Sequence, residues 1–179
     1  MSSEFVVVDG DAMRALARDV VAPLVRAGDL LILTGDLGAG KTTFTQGLGA
    51  ALGVRGPIAS PTFIIARTHP SLVDGPALIH VDAYRLSGLA ELDDLDLDAT
   101  LEDSVTVVEW GDEAAALADD RLHVVISRAR GGEIDPEAPD GGDRIVTLDG
   151  HGARWDGAVF DSHRAFGTAD MGGAHDSRH

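Results

Sequence analysis

The chain has 179 residues, 44% of them hydrophobic, which is enough for one domain with a single core. It carries 14 basic and 30 acidic side chains, a formal net charge of −16, so its surface repels nucleic-acid phosphates and direct binding of DNA or RNA is disfavoured. The absence of cysteine excludes disulfides and thiolate metal sites. The chain shows no signal peptide and no apolar run of the roughly 20 residues that a membrane span needs, so we expect a cytoplasmic protein without a membrane partner.

The first part of the chain predicts a strand, a helix, a second strand and a second helix. A short strand near residue 5 precedes a stretch whose apolar residues recur at helical spacing. Asp9 or Asp11 is the expected N-cap, and Pro23 is expected to kink or shorten this helix. The apolar run at 30–34 is typical of a strand buried on both faces, and a glycine-rich turn and a helix follow it.

The rest of the chain predicts five more strands, at 62–68, 77–84, 105–110, 121–128 and 144–148. Strands alternating with helices predict an α/β fold with a mostly parallel sheet of about seven strands, and the last two strands predict a C-terminal antiparallel hairpin. Residues 1–149 are therefore expected to form one domain. The Gly/His/Asp-rich composition of 150–179 predicts a disordered tail.

The stretch "GDLGAGKT" follows the buried strand and fits the pattern G-x-x-x-x-G-K-[ST]. Its glycines let the backbone wrap closely around an anion, and the N-terminus of the next helix adds amide donors and a positive dipole end. Lys41 is expected to bridge the β- and γ-phosphates of a nucleotide, and Thr42 to offer its hydroxyl to Mg²⁺. The predicted nucleotide-binding residues are Gly35, Gly38, Ala39, Gly40, Lys41, Thr42 and Thr43. With the α/β pattern, this motif predicts the three-layer sandwich of P-loop NTPases.

Two acidic residues stand at the ends of apolar strands, Asp82 after "LIHV" and Glu109 after "VTVV". In an open parallel sheet the ligand crevice lies at the carboxyl ends of the strands. Both acids are therefore expected beside the glycine-rich loop 35–42, which we call the phosphate loop. One would ligate Mg²⁺ or its water while the other orients the attacking water, and the sequence leaves open which does which. The predicted catalytic residues are therefore Lys41, Asp82 and Glu109, and the predicted metal ligands are Thr42, Glu109 and Asp82.

Two further residues are candidate neighbours of the nucleotide. Thr62 lies in the turn "SPTF" and is open to two interpretations, a switch hydroxyl near the γ-phosphate or part of a rigid turn. Trp110 directly follows Glu109, where its ring would either pack over the nucleotide, dock a partner or simply fill the core.

The motifs "GDLGAGKTT", "SPTF", "HVDAYRL" and "VEW", in this order, resemble the TsaE (formerly YjeE) family, bacterial P-loop ATPases of tRNA threonylcarbamoyladenosine biosynthesis. The resemblance runs from about residue 5 to about residue 148. It implies a protein that binds ATP and Mg²⁺, hydrolyses ATP slowly, and works with TsaB and TsaD. In that family TsaD transfers a threonylcarbamoyl group to adenosine 37 of tRNA, and the ATPase is thought to reset the TsaB–TsaD dimer. Contact with tRNA would then be indirect.

The resemblance also implies roles for individual residues. Lys41 and Thr42 would hold phosphate and Mg²⁺, Asp82 and Glu109 would supply the acids for metal binding and hydrolysis, and Trp110 would be the aromatic ring beside the site. The segment 91–103 departs from the family because it is densely acidic. Such a segment is either a solvated surface or a contact for a basic partner surface.

Three alternatives to an ATPase subunit remain at this stage. A small-molecule or nucleotide kinase would need an arginine-bearing lid over the phosphates, for which Arg128 and Arg130 form the one available short basic stretch. A GTPase-like switch would need an Asn-Lys-x-Asp strand end, which the sequence lacks. A nucleotide-bound scaffold without hydrolysis is the third alternative, because placing the attacking water demands sub-ångström precision.

Overall fold

A computed structural model describes residues 2–59, 66–83, 101–110, 118–128 and 142–160. The described chain begins with β1 (Ser2–Val7), α1 (Gly10–Leu16), a π-helical turn (Ala17–Val21), β2 (Leu30–Gly35) and α2 (Lys41–Leu52). Five strands follow, with a short 3-10 helix at Ala153–Trp155 after the last: β3 (Ala66–His69), β4 (Ala77–Asp82), β5 (Ser104–Glu109), β6 (Arg121–Arg128) and β7 (Arg144–His151).

The seven strands form one sheet in the order β1-β7-β6-β2-β5-β4-β3. The expected α/β class and strand number are confirmed, but the expectation of a mostly parallel sheet is wrong, because the sheet is mixed. The pairs β2–β6, β2–β5 and β4–β5 are parallel, whereas β1–β7, β6–β7 and β3–β4 are antiparallel.

The burial of each strand explains this mixture. In β5 every residue is buried, as in a parallel strand covered on both faces. Along β6 and most of β7, buried residues alternate with half-buried ones, which is the pattern of antiparallel strands with one wetter face. The adjacent antiparallel strands β6 and β7 are the two for which a hairpin was expected, but most of the residues that join them lie outside the described ranges.

Helices α1 and α2 pack on one face of the sheet around the larger core cluster, which includes Leu33, Phe44 and Val107. The smaller cluster on the opposite face includes Ile32 and Val108. The second helical layer of the expected three-layer sandwich would draw mainly on residues outside the described ranges, so that arrangement stays a prediction. No helix in the described ranges is long and apolar enough to cross a membrane.

The start and end of the first helix follow from two residues. Asp9 is the N-cap, and its carboxylate accepts a hydrogen bond of 2.7 Å from the amide of Ala12. The regular helix ends after the π-helical turn, just before Pro23, because the proline nitrogen has no hydrogen to donate to a further helical bond. Gly47 then lets α2 approach this helix closely, since a Cβ there would lie 2.4 Å from the carbonyl oxygen of Arg14.

The expectation that disorder begins at residue 150 is wrong for residues 150–160. Strand β7 continues to His151, and Trp155 and Phe160 are buried with their rings stacked 6.2 Å apart. Arg154 donates to both carboxylate oxygens of Asp29, at 2.8 and 2.7 Å. Two aromatic anchors and one ion pair thus hold a segment whose average composition is polar and glycine-rich. Residues 161–179 lie outside the described part of the chain.

Candidate phosphate-binding site

A cavity of about 650 Å³ opens at the carboxyl ends of β2, β4 and β5. Its lining includes most of the residues that the sequence predicts for the site: Gly38, Ala39, Gly40, Lys41, Thr42, Thr43, Asp82, Glu109 and Trp110. Gly35 ends β2 behind this lining, and Thr62 lies outside the described residues. The structure therefore brings together all the predicted site residues that it describes.

The phosphate loop turns sharply between β2 and α2. The amide of Ala39 donates to the carbonyl of Asp36 at 3.0 Å, and Gly40 has φ of 113°, a conformation that a side chain would strain. Helix α2 begins directly after Gly40, so its first turn points toward the cavity. Amides of a first helical turn have no intrahelical acceptor, and they are natural donors to an anion.

The ammonium group of Lys41 is buried inside its own loop. Its Nζ donates to the carbonyl oxygens of Gly35 at 2.7 Å and Asp36 at 3.0 Å, and it lies 3.8 Å from the centre of the Trp110 ring. Burial lowers the pKa of the Lys41 ammonium, while the carboxylates of Glu109, Asp82 and Asp36 oppose that shift. The cation is thus held in a partly desolvated position where an anionic ligand would interact strongly with it.

Glu109 is almost fully buried and accepts hydrogen bonds from two sides. The hydroxyl of Thr42 lies 3.2 Å from its Oε1, and the imidazole Nε2 of His80 lies 2.7 Å from the same oxygen. Asp82 is the direct partner of Glu109 in the parallel β4–β5 ladder, so both side chains emerge on the same face of the sheet. The two predicted acids are therefore neighbours beside the phosphate loop.

The donors at this point suit magnesium. Mg²⁺ prefers oxygen ligands and keeps several waters, so it is usually held by one or two carboxylates together with substrate phosphates. Thr42, Asp82 and Glu109 offer a hydroxyl and two carboxylates at the cavity wall. Within the described ranges no group of three His, Asp or Glu side chains could hold a metal ion by itself.

Trp110 has an unusual backbone for a large side chain, with φ of 62°. Its amide donates to the carbonyl of Leu33 at 3.0 Å, which extends the contact between β2 and β5 by one residue. Strained backbone of this kind is found disproportionately at functional sites. Here it places the indole ring over Lys41, so the core-filling interpretation of Trp110 does not describe its position.

Several residues in the cavity wall, and one behind it, were not predicted from the sequence. Arg144, at the start of β7, is buried at the cavity wall and donates through Nε to the carbonyl of Ala39 at 3.3 Å and through Nη1 to that of Gly142. No local pattern marks it. His80 was within reach, because strand alternation places it on the same face as Asp82. The start of α1 also lines the cavity, through Asp9, Gly10, Met13 and Arg14.

Comparison with known proteins decides the family. A family model described as threonylcarbamoyl adenosine biosynthesis protein TsaE matches residues 7–134. The chain belongs to the TsaE family. The resemblance seen in the motifs is therefore confirmed, and the TsaE match includes the phosphate loop, Asp82, Glu109 and Trp110.

Individual TsaE relatives agree over most of the chain. A Streptomyces coelicolor protein named tRNA threonylcarbamoyladenosine biosynthesis protein TsaE is 59% identical over 145 residues, which cover 80% of this chain and 93% of that one. A Bacillus subtilis protein of the same name is 40% identical over 125 residues, 68% of this chain and 75% of that one. The crystal structure of Bacillus subtilis YdiB superposes with a TM-score of 0.65 at 31% identity, covering 87% of this chain and 90% of that one.

Proposed function

We propose that this protein is the Mg²⁺-dependent ATP-binding and ATP-hydrolysing subunit of the machinery that makes N6-threonylcarbamoyladenosine at adenosine 37 of tRNA, acting on a TsaB–TsaD complex. One observation carries the proposal: Lys41, Thr42 and Glu109 meet in one cavity of a chain that belongs to the TsaE family. The names of its relatives support a role in this tRNA modification.

The cavity supplies what a triphosphate needs. The first turn of α2 offers amide donors, and Lys41 offers a desolvated cation. Phosphate oxygens are charged acceptors and bind an ammonium more strongly than the carbonyls of Gly35 and Asp36 do. ATP is therefore expected to draw the Lys41 ammonium from these carbonyls to its β- and γ-phosphates.

The two carboxylates, Glu109 and Asp82, are proposed to have different roles in hydrolysis. Thr42 and one of the two carboxylates, Glu109 or Asp82, would hold Mg²⁺, which neutralises charge on the phosphates when bound. Glu109 touches the Thr42 hydroxyl, so we assign it to the metal, and we assign Asp82 to orienting the attacking water. Both residues are largely buried, Asp82 being 9% and Glu109 3% exposed, so little solvent competes for their carboxylates.

The acidic surface suits indirect work on tRNA. A net charge of −16 disfavours contact with the tRNA backbone, so we propose that TsaB and TsaD homologues provide that contact. Turnover by the isolated protein is expected to be slow and to rise in the complex, and the protein is expected to act in the cytoplasm.

The test is ATP hydrolysis by the purified protein, alone and with an equal concentration of a TsaB–TsaD complex. We expect slow turnover that rises when the complex is added, and no turnover from Lys41→Ala in either condition. Fast turnover alone, or a rate that ignores the complex, would separate this protein from threonylcarbamoyl transfer. It would direct attention to the kinase alternative and to a panel of phosphoryl acceptors.

A further inference from the structure

His80 is fully buried in β4, and Glu109 lies on the neighbouring strand β5. Its Nε2 lies 2.7 Å from Oε1 of Glu109, the shorter of the two side-chain contacts to that oxygen. An ionised carboxylate only accepts hydrogen bonds, so the imidazole must donate through Nε2. This fixes the tautomer of a neutral His80, with the proton on Nε2 and a lone pair on Nδ1.

We propose that His80 is a positioning residue that holds the Glu109 carboxylate toward Thr42 and the cavity. The proposal rests on the proposed function, because it deepens the role of Glu109 toward Mg²⁺ and ATP. A glutamate side chain has several rotatable bonds, and fixing its carboxylate requires a partner that is itself fixed. His80 meets this requirement because its backbone belongs to the interior β4–β5 ladder.

The strand register explains how one strand serves both acids. Residues two apart on a strand share a face, so His80 and Asp82 point to the same side of the sheet. Glu109 lies opposite Asp82 in the ladder, and His80 reaches it diagonally. Strand β4 therefore carries Asp82 and, through His80, also contacts the carboxylate of Glu109.

The partner of His80 distinguishes it from the other buried histidine. Among the described residues, Nδ1 of His80 and Nε2 of His69 are both buried without a hydrogen-bond partner, which is destabilising in each case. The remaining ring nitrogen of His69 bonds a backbone carbonyl, whereas that of His80 bonds a carboxylate of the cavity. Thr42, the other donor to Glu109, belongs to the phosphate loop and is proposed to hold Mg²⁺ when nucleotide binds. The bond from His80 depends on the sheet alone.

The first experiment compares His80→Leu, His80→Gln and the control His69→Leu for ATP affinity by calorimetry and for turnover. His69 is a buried histidine too, but its ring bonds the backbone carbonyl of Arg55, whereas the ring of His80 bonds Glu109. We expect His80→Leu to lower turnover at a fixed, limiting Mg²⁺ concentration by about ten- to a hundredfold, as loss of a partner behind a metal ligand does. ATP affinity should change by less than about threefold, because the phosphate contacts remain.

His80→Gln should recover most of the turnover, because its amide can donate to Glu109, and His69→Leu should hydrolyse ATP like the unaltered protein. Unaltered turnover in His80→Leu would overturn the proposal. So would a His80→Gln variant as slow as His80→Leu, or an equal loss in His69→Leu.

The second experiment needs no hydrolysis. Nitrogen-15 NMR of the nucleotide-free protein should show His80 as the Nε2–H tautomer, with a signal that shifts in Glu109→Ala and stays in His69→Leu. An Nδ1–H tautomer, or a signal indifferent to Glu109→Ala, would refute the contact. If the unaltered protein fails to hydrolyse ATP, the proposed function falls while this spectrum still decides whether His80 holds Glu109.

Discussion

Lys41 is the only lysine in the sequence, and its surroundings make it unusual. It is 5% exposed, bonded to two backbone carbonyls and covered by an indole ring. Burial disfavours the charged form and lowers the pKa, and carboxylates around the cavity restrain the shift. A bound triphosphate would add several negative charges next to the ammonium. The triphosphate should therefore raise the pKa of Lys41, which burial lowers.

A single lysine gives a single side-chain amine signal, which makes this effect measurable by NMR titration. We expect Lys41 to titrate below its ordinary value of 10.5 in the free protein, because burial dominates. Saturating ATP should raise the titration midpoint, since the phosphates favour the charged form. A midpoint at or above 10.5 without nucleotide, or one that ATP leaves unchanged, would contradict the described environment of the ammonium.

The two acids should fail differently when neutralised. Glu109→Gln is expected to raise the Mg²⁺ concentration needed for half-maximal turnover. The reason is that the Glu109 carboxylate lies beside the Thr42 hydroxyl, where we propose that the metal binds. Asp82→Asn is expected to lower kcat by about a hundredfold or more while the Mg²⁺ requirement changes little, as loss of a water-orienting group does. Magnesium titrations of both variants provide the comparison. The opposite pattern would exchange the two roles.

The site residues that could be predicted from the sequence lie in the motif or at strand ends. Residues that reach the site from other parts of the chain could not be predicted. Lys41, Thr42, Asp82 and Glu109 were predictable because a motif or a strand end marks each of them. Arg144 was not, because it reaches the loop from a strand that is distant in sequence, and only the folded sheet brings it to Ala39. The strained backbone of Trp110 also depends on tertiary contacts, here the bond to Leu33.

Among the elements, α1 and α2 both line the cavity and pack against each other. The start of α1 contributes four lining residues, and α2 carries the phosphate loop lysine. Gly47 sets their separation, because any side chain there would meet the backbone of Arg14. The two helices can therefore approach only as closely as this glycine allows.

Gly47→Ala is expected to destabilise the protein by about 1–3 kcal/mol through overpacking against a backbone that cannot yield. Alanine favours a helix over glycine by about 1 kcal/mol, so a loss would be due to packing and not to propensity. The matched control is Gly75→Ala, where the nearest atom is 3.6 Å from the added Cβ. It should change the free energy of unfolding by less than about 0.5 kcal/mol. Denaturant unfolding compares both variants with the unaltered protein. A Gly47→Ala variant as stable as the unaltered protein would show that the two helices can move apart without cost.

The strand pattern also held information about the sheet that the sequence analysis did not use. The run "LLILT" predicted a strand buried on both faces, and β2 is mostly buried in the middle of the sheet. The alternation of β6 and β7 was visible in the sequence as well, and it indicates strands with one wet face, which are usually antiparallel. Strand order was beyond reach, because β1 pairs with β7 across almost the whole chain.

For the whole molecule, the segment after β7 closes the core. Trp155 is 2% exposed and Phe160 is 4% exposed, and Arg154 ties the segment to Asp29 and to the carbonyl of Leu24. Composition alone predicted a tail from residue 150, because averaging over glycine and aspartate hides two well-placed aromatic rings. The folded body therefore extends at least to residue 160.

Trp155→Ala is expected to cost about 3 kcal/mol or more of folding free energy, as for other buried aromatic residues. A chain that ends at residue 160 should keep its melting temperature, whereas one that ends at 149 should melt much lower. Thermal unfolding of the three proteins measures this. A chain ending at 149 that melts like the full chain would restore the tail as first predicted.

The proposed function is tested most directly by counting modified tRNA. A TsaB–TsaD complex is supplied with tRNA, a threonylcarbamoyl donor, ATP and Mg²⁺, with and without this protein, and N6-threonylcarbamoyladenosine is quantified. We predict many modified tRNAs per TsaD with the unaltered protein, and about one or fewer with Lys41→Ala or without the protein, because the complex would not be reset. A yield that does not depend on this protein, or that Lys41→Ala sustains equally well, would contradict the proposal.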